Sequence, residues 1–204
     1  MMNNESCKVF IVDDDESVRR GLSLLIRSAG IAADSFGSAE ELLALENYSG
    51  EGCIILDIFM DGRSGLELQE EISKKFCCFP IIFITGQGDI PMSVKAMRKG
   101  AVNFLQKPVD DIELLRAVED AISRSRQLNA DRQETEKIKL LLDSLTAREY
   151  DVYRLLITGM LNKQIAAELD ITEHTVKLHR GKITEKLGVR SVAEMVKLAQ
   201  KINL

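Results

Sequence analysis

The chain has 204 residues, of which 45% are apolar and 29% charged, with a net charge of −5. That balance excludes a disordered or fibrous chain and leaves room for one large or two small globular domains. No apolar run approaches the roughly 18 residues that span a bilayer. Met1–Lys8 lacks the basic-then-apolar order of a signal peptide, so a cytoplasmic protein without a membrane partner is expected.

The four cysteines, Cys7, Cys53, Cys77 and Cys78, show no C-x-x-C spacing. They read as reduced, mostly buried thiols rather than zinc ligands or disulfides. Charge is unevenly spread. Leu145–Leu204 carries ten Lys/Arg against seven Asp/Glu, which leaves seventeen against twenty-five in the rest of the chain. An acidic front and a basic tail point to two separate tasks.

Residues 8–126 alternate short apolar runs with helical stretches. The runs are Lys8–Val12, Ala32–Phe36, Cys53–Leu56, Ile81–Thr85 and Asn103–Gln106; helices are expected to begin near Ser17, Ser38, Gly65, Pro91 and Asp110. Five such βα units predict an α/β fold, a doubly wound parallel sheet with helices on both faces. In a sheet of this kind the ligand site lies beyond the carboxyl ends of the strands.

From Ser123 to Asp143 the chain has no Gly or Pro and is rich in Gln, Arg, Glu, Lys and Leu, which predicts a helical linker. Ile138, Leu141, Leu142 and Leu145 recur at helical spacing. They suit either a partner helix or one face of a second domain. Beyond them four helices are expected, Ala147–Thr158, Lys163–Leu169, Glu173–Leu187 and Val192–Lys201. Thr146, Asn162, Thr172 and Ser191 are the expected N-caps, and Gly159 and Gly188 the stops. The domain plan is therefore 1–126, a linker over 127–143, and an all-α domain over 144–204.

Four strand ends carry the chemistry: Asp13-Asp14-Asp15 after the first, Asp57-Ile58-Phe59-Met60 after the third, Thr85-Gly86-Gln87 after the fourth, and Lys107-Pro108 after the fifth. The topology brings Asp13, Asp14, Asp57, Thr85 and Lys107 to one edge. Clustered carboxylates repel unless a cation binds, and Mg²⁺ suits a hydrated all-oxygen site. A carboxylate between such an ion and an ammonium is placed to accept a phosphoryl group.

With those residues in that order, the stretch 8–126 resembles the receiver domain of response regulators, a flavodoxin-like (βα)5 fold. The resemblance implies that Asp57 accepts the phosphoryl group from a sensor histidine kinase. It implies that Asp14, Asp57 and the Phe59 carbonyl hold Mg²⁺, with Asp13 assisting mainly through water. Lys107 would pair with the phosphoryl oxygens and Thr85 would donate its hydroxyl to one of them. Phe104 would change rotamer as Thr85 moves, and Lys107–Pro108 would be cis. The chain departs from the family pattern at Met60-Asp61, where many members read Met-Pro; Asp61 is not a phosphoryl-contacting position. Phe59 and Gln87 flank the line along which water attacks an acyl phosphate, and an apolar Phe59 is expected to exclude that water.

In the tail, Thr146 and Glu149 form a capping box. A short helix from Asn162, a turn at Asp170-Ile171-Thr172 and a basic helix over Glu173–Leu187 make a helix-turn-helix. Ile165, Ala166, Leu169, Ile171, Val176, Ile183 and Leu187 are its expected core. The run Thr175–Ile183 with Lys186-Leu187-Gly188-Val189 is similar to the LuxR/FixJ-type effector domain. This likeness, to the FixJ/NarL type of response regulator, implies that Lys177, Leu178 and Gly181 face base edges of double-stranded promoter DNA. It implies that Lys163, Thr172, Thr175, His179 and Lys182 face phosphates. A longer polar residue often occupies the place of Gly181, so base reading would fall more on Lys177 and Arg180. The last helix, with Val192, Met195, Val196 and Ala199 at helical spacing, suits either a dimerisation helix or a lid on the core.

The expected function is phosphorylation-controlled DNA binding with a homodimer forming on phosphorylation, not enzymatic turnover. Two other readings remain at this level. One is an Mg²⁺-dependent phosphohydrolase, though the D-x-D pattern of haloacid dehalogenases is missing around Asp57. The other is a receiver whose tail binds protein, against which Lys177, Arg180 and Lys182 argue.

Overall fold

The computed structural model describes residues 7–45, 48, 50–60, 65–86, 90–202 and 204, with the backbone alone at 66, 90–92 and 95. Asp61 and Gln87 therefore lie outside the described residues. Five strands, β1 (Cys7–Val12), β2 (Ala32–Phe36), β3 (Glu51–Asp57), β4 (Ile81–Thr85) and β5 (Asn103–Gln106), form a parallel sheet in the order β2-β1-β3-β4-β5. Helices α1 (Glu16–Ser28), α2 (Ala39–Ala44), α3 (Gly65–Lys75), α4 (Ile90–Arg98) and α5 (Asp111–Asp143) follow the strands in turn. This is the expected doubly wound fold.

The alternation of the strands explains the two faces. Val9 and Ile11 of β1, Cys53 and Ile55 of β3, and Ile82 and Ile84 of β4 point to one layer, packed with Ile26 of α1 and Leu114, Val118 and Ile122 of α5. Phe10, Val12, Ile54, Leu56, Ile81 and Phe83 point to the other, packed with Leu42 of α2 and Leu68 and Ile72 of α3. Burial on both faces is why these strands read as continuous apolar runs. β3 begins at Glu51, two residues before its apolar run, because Glu51 and Gly52 pair with Cys7 and Lys8 of β1.

α5 is one continuous helix of 33 residues. Its first half belongs to the sheet's core; Ser125, fully buried, donates to the Cys78 carbonyl (2.6 Å) and accepts from the Gly52 N–H (3.1 Å). The chain divides into two compact units, Met1–Ala130 and Asp131–Leu204, and α5 contributes to both.

The second unit adds α6 (Ala147–Ile157), α7 (Asn162–Glu168), α8 (Glu173–Leu187) and α9 (Val192–Lys201). Its core gathers Val152, Tyr153, Leu156, Ile165, Val176, Ile183, Leu187, Met195 and Ala199. Ile138, Leu142 and Leu145 are buried in this core, so the apolar face at the end of α5 covers this unit. Leu141 lies at the margin and is 36% exposed. α9 packs on the same core through Met195 and Ala199.

Three of the expected N-caps are found: Thr146, Thr172 and Ser191 accept from the backbone N–H groups of Glu149, Thr175 and Glu194. Asn162 is not a cap. Leu161 occupies that position, its N–H bonded to Gln164 Oε1 (2.8 Å), and Asn162 is the first helical residue. Gly188 ends α8 at φ 63°, a left-handed conformation that glycine adopts without steric cost.

Candidate functional site

The register of the sheet sets the acidic site. β1 and β3 are level at Val12 and Leu56, and β3 and β4 at Asp57 and Ile84, so the residues that follow β1 and end β3 and β4 meet at one edge. That edge lies between β1 and β3, where the strand order reverses direction. Asp13, Asp14 and Asp57 converge there, each with an oxygen within 4.8 Å of the others. Asp13 and Asp57 are 2% and 5% exposed, and Asp14 faces solvent. Lys107 Nζ donates to both Asp13 Oδ2 and Asp57 Oδ2 at 2.6 Å. Thr85 is fully buried at the end of β4, and its carbonyl accepts the Lys107 N–H (2.7 Å). The Lys107–Pro108 peptide is cis, as expected.

The surrounding backbone fixes these groups. Asp15 caps α1, accepting from the N–H groups of Ser17 and Val18, while its own N–H donates to Asp13 Oδ1 (2.9 Å). Arg19 reaches back from α1 to the carbonyls of Asp13 (2.7 Å) and Asp14 (2.9 Å). Sequence reading missed Arg19; its place one helical turn past the acidic run was the available signal. The Phe59 N–H donates to Asp57 Oδ1 (3.1 Å), and the Phe59 side chain is 49% exposed. Gly65 opens α3 directly against the Asp57 carbonyl; a Cβ there would stand 2.4 Å from that oxygen. Only glycine permits so close an approach. Phe104 is half-buried against the core on the α2–α4 side.

The electrostatics follow from burial. Burial pushes the Asp13 carboxyl above its ordinary value, against the pull of Lys107. Burial also pushes the Lys107 ammonium down, but its hydrogen bonds to Asp13 and Asp57 outweigh that and hold it above its ordinary value. An ammonium kept charged between two carboxylates, beside a third that is open to solvent, suits anionic chemistry with a hard divalent ion. The donor set is all oxygen, which fits Mg²⁺ better than a soft metal.

The second unit presents a helix-turn-helix: α7, a turn in which Asp170 takes a left-handed φ of 51°, and α8. Lys163, Thr172, Lys177, Leu178, Gly181 and Lys182 are exposed; Thr175, His179 and Arg180 are half-buried. Leu178 is 56% exposed. Thr172 both caps α8 and lies 2.9 Å, Oγ1 to Oγ1, from Thr175. Arg180 Nη1 donates to Asn162 Oδ1 (2.6 Å), which ties α8 to α7 and explains why Asn162 faces inward rather than capping.

The open side of Gly181 has nothing within 4 Å of a built Cβ. Gly181→Ala is expected to stabilise this unit by about 0.5–1 kcal/mol, since mid-helix glycine is that much poorer than alanine. Urea denaturation of the variant checks it.

A feature that sequence reading missed holds the unit together. Glu149 is 3% exposed; its Oε2 accepts from Lys186 Nζ (2.6 Å) and from the Thr146 N–H (2.9 Å). Lys186 also donates to the Ser144 carbonyl (2.9 Å). The capping box is thus the anchor of an ion pair between α6 and α8 in which the carboxylate is buried and the lysine is partly exposed. Lys186, and next the Thr146 N–H, hold the Glu149 carboxyl down at about 2.

Both units match known protein families. Residues 9–119 match the response regulator receiver domain, and residues 143–199 match the bacterial regulatory proteins of the luxR family. The chain is 43% identical over 196 residues to Nodulation protein W of Bradyrhizobium diazoefficiens, covering 96% of this chain and 86% of that one. The structure of the response regulator StyR is similar with a TM-score of 0.79 at 45% identity, over 96% of this chain and 99% of that one. Full-length FixJ from B. japonicum is similar with a TM-score of 0.56 at 35% identity, over 96% and 97%. No helix among the described residues is long and apolar enough to cross a membrane. The chain belongs to the response regulators of the FixJ/NarL type, phosphorylation-controlled regulators of transcription that join a receiver domain to a LuxR-type DNA-binding domain.

Proposed function

We propose that Asp57 is the phosphoacceptor and that its phosphorylation by a sensor histidine kinase changes dimerisation and promoter binding. The observation that carries this is the convergence of Asp13, Asp14 and Asp57 with the Lys107 ammonium bridging two of them. Asp57 Oδ2, the oxygen now on Lys107, attacks the phosphorus as its P–N bond to the kinase histidine breaks and the imidazole leaves, and Lys107 shifts its hydrogen bond to a phosphoryl oxygen. Oδ1 stays aligned by the Phe59 N–H. Thr85 then donates its hydroxyl to a second phosphoryl oxygen, and Phe104 follows Thr85. Asp14, Asp57 and the Phe59 carbonyl would hold Mg²⁺, with Asp13 assisting mainly through water, and the ion would supply charge neutralisation for the transferring group. A groove lined by Val18, Leu22, Leu24 and Leu25 of α1 with Pro108 runs to Lys107, and it gives an apolar kinase segment a route to the site.

Under this reading the receiver spans 1–126, the linker 127–143 and the effector 144–204, in a cytoplasmic protein. On α8, Lys177 and Leu178 face base edges, with Gly181 leaving room beside them; Lys163, Thr172, Thr175, His179 and Lys182 face phosphates. Arg180 serves through its tie to Asn162 as well as through its charge. Lysine pairs with guanine, and an exposed leucine meets a thymine methyl.

Two experiments follow. Incubation with acetyl phosphate is expected to give one hydroxylamine-labile phosphoryl group per chain, and EDTA is expected to suppress it. Uptake that is indifferent to EDTA contradicts the acidic site. Phe59→Asn is expected to shorten the phosphoryl lifetime several-fold, because its half-exposed apolar ring shields the acyl phosphate from water. An unchanged dephosphorylation rate removes that role.

A further inference from the structure

The turn between α3 and β4 holds adjacent cysteines whose Sγ atoms stand 3.7 Å apart. Cys77 is exposed and Cys78 is 6% exposed. We propose that Cys77 and Cys78 form a dithiol site for monosubstituted trivalent arsenicals, R–As(OH)₂. It lies before β4, at the edge of the sheet opposite the acidic site.

The geometry selects this ligand over a disulfide. A disulfide needs its sulfurs about 2.05 Å apart and its Cα atoms usually 4.4–6.8 Å apart. Consecutive Cα atoms across a trans peptide are fixed near 3.8 Å, and the cis bond recorded in the chain is elsewhere, at Lys107–Pro108. Two thiolates on one soft centre, with bonds near the ~2.3 Å of zinc–thiolate bonds, stand roughly 3.3–3.7 Å apart. The pair already has that spacing, so a bridging arsenic closes a nine-membered ring with little backbone movement.

The number of ligands selects further. Among the described residues, the one group of three or more carboxylate, thiol or imidazole ligands that could share an ion is Asp13, Asp14 and Asp57. Two thiols alone do not complete a tetrahedral zinc site. They do satisfy the two exchangeable valences of R–As(OH)₂. Two As–O bonds and two S–H bonds break, two As–S bonds form, and two waters leave with arsenic still trivalent. The reagent meets the exposed Cys77 first and then closes on Cys78. The other thiols do not compete: Cys7 and Cys53 are buried under the sheet, and burial pushes the Cys53 thiol up. The site adjoins an anchor of α5, since the Cys78 carbonyl accepts the Ser125 hydroxyl.

The test uses the full chain and phenylarsine oxide. Intact-mass measurement is expected to show one phenylarsenic adduct, with two of the four thiols lost to a thiol reagent and regained on adding a dithiol such as dimercaptopropanol. Cys77→Ser and Cys78→Ser are each expected to weaken binding roughly 10²–10⁴-fold, the gain from closing a second bond within one molecule. Cys77 is exposed, so its variant keeps the fold, which circular dichroism checks. Phosphoryl uptake at Asp57 is expected to persist in the adduct. No adduct on the wild-type chain overturns the proposal, as do equal affinity in the Cys77→Ser variant or an intramolecular disulfide formed in place of the adduct.

Discussion

Asp57→Asn is expected to abolish phosphoryl uptake, from a kinase and from acetyl phosphate alike. The carboxamide keeps the shape of the side chain, and its oxygen can still accept the Phe59 N–H that now bonds Asp57 Oδ1. What it lacks is the anionic oxygen that Lys107 holds at 2.6 Å. An amide nitrogen is no nucleophile at phosphorus, and Lys107 is left with Asp13 as its anionic partner. The fold should survive, because Asp57 is one polar group at the end of a strand whose Ile54, Ile55 and Leu56 remain fully packed. The check is hydroxylamine-labile labelling from a radiolabelled donor beside a far-ultraviolet circular dichroism spectrum. Retained label on a folded variant would falsify the assignment of the acceptor.

Glu149→Gln is expected to be the most damaging single polar change in the DNA-binding unit. It leaves Lys186, whose side chain is 33% exposed, without its carboxylate, and puts a neutral amide in the enclosed place where the Glu149 oxygen accepts from both Lys186 and the Thr146 N–H. The wild-type pair also predicts a pH dependence. The Glu149 carboxyl is held at about 2 against an ordinary value of 4.5. Its contribution is therefore fully present above about pH 4.5 and is lost as pH falls from there toward 2. Thermal unfolding of this unit should show a midpoint that declines over that window in the wild type. In Glu149→Gln the midpoint should be several degrees lower at neutral pH and show a smaller decline from this source. Parallel pH profiles in the two proteins would show that the ion pair adds nothing.

How much of this could be read from the sequence depends on what each residue's role required. The strands were legible because both faces of the sheet are covered, which forces runs such as Ile81–Thr85, whose bounds are those observed for β4. The start of β3 was not, because Glu51 and Gly52 are held by pairing with β1 and not by their own propensity. The acidic site was legible as a set of strand ends, since topology alone brings Asp13, Asp14, Asp57, Thr85 and Lys107 to one edge. Its internal bonding was not: the bridge from Lys107 to Asp13 and the grip of Arg19 on the loop carbonyls depend on side-chain reach in three dimensions.

The same divide runs through the second unit. Thr146, Thr172 and Ser191 are caps because their oxygens meet a local N–H two or three residues on, a relation written in sequence. Asn162 has the same capping chemistry, but Arg180, eighteen residues away, claims its oxygen. Glu149 read only as the distal half of a capping box; the packing of α6 on α8 is what pairs its buried carboxylate with Lys186. The apolar stripe at the end of α5 fitted two partners equally from its spacing. Burial of Ile138 and Leu142 against the helix-turn-helix core decided between them.

Under the proposed function, phosphorylation of Asp57 governs DNA binding by α8. The most direct test is the affinity of the full chain for a promoter fragment, measured at fixed salt and Mg²⁺, with and without beryllofluoride as the phosphoryl mimic. Salt must be held constant because phosphate contacts make affinity steeply salt-dependent. The account predicts tighter binding with beryllofluoride in the wild type and no change in Asp57→Asn. Equal wild-type affinity with and without the mimic, or an equal gain in Asp57→Asn, would contradict it.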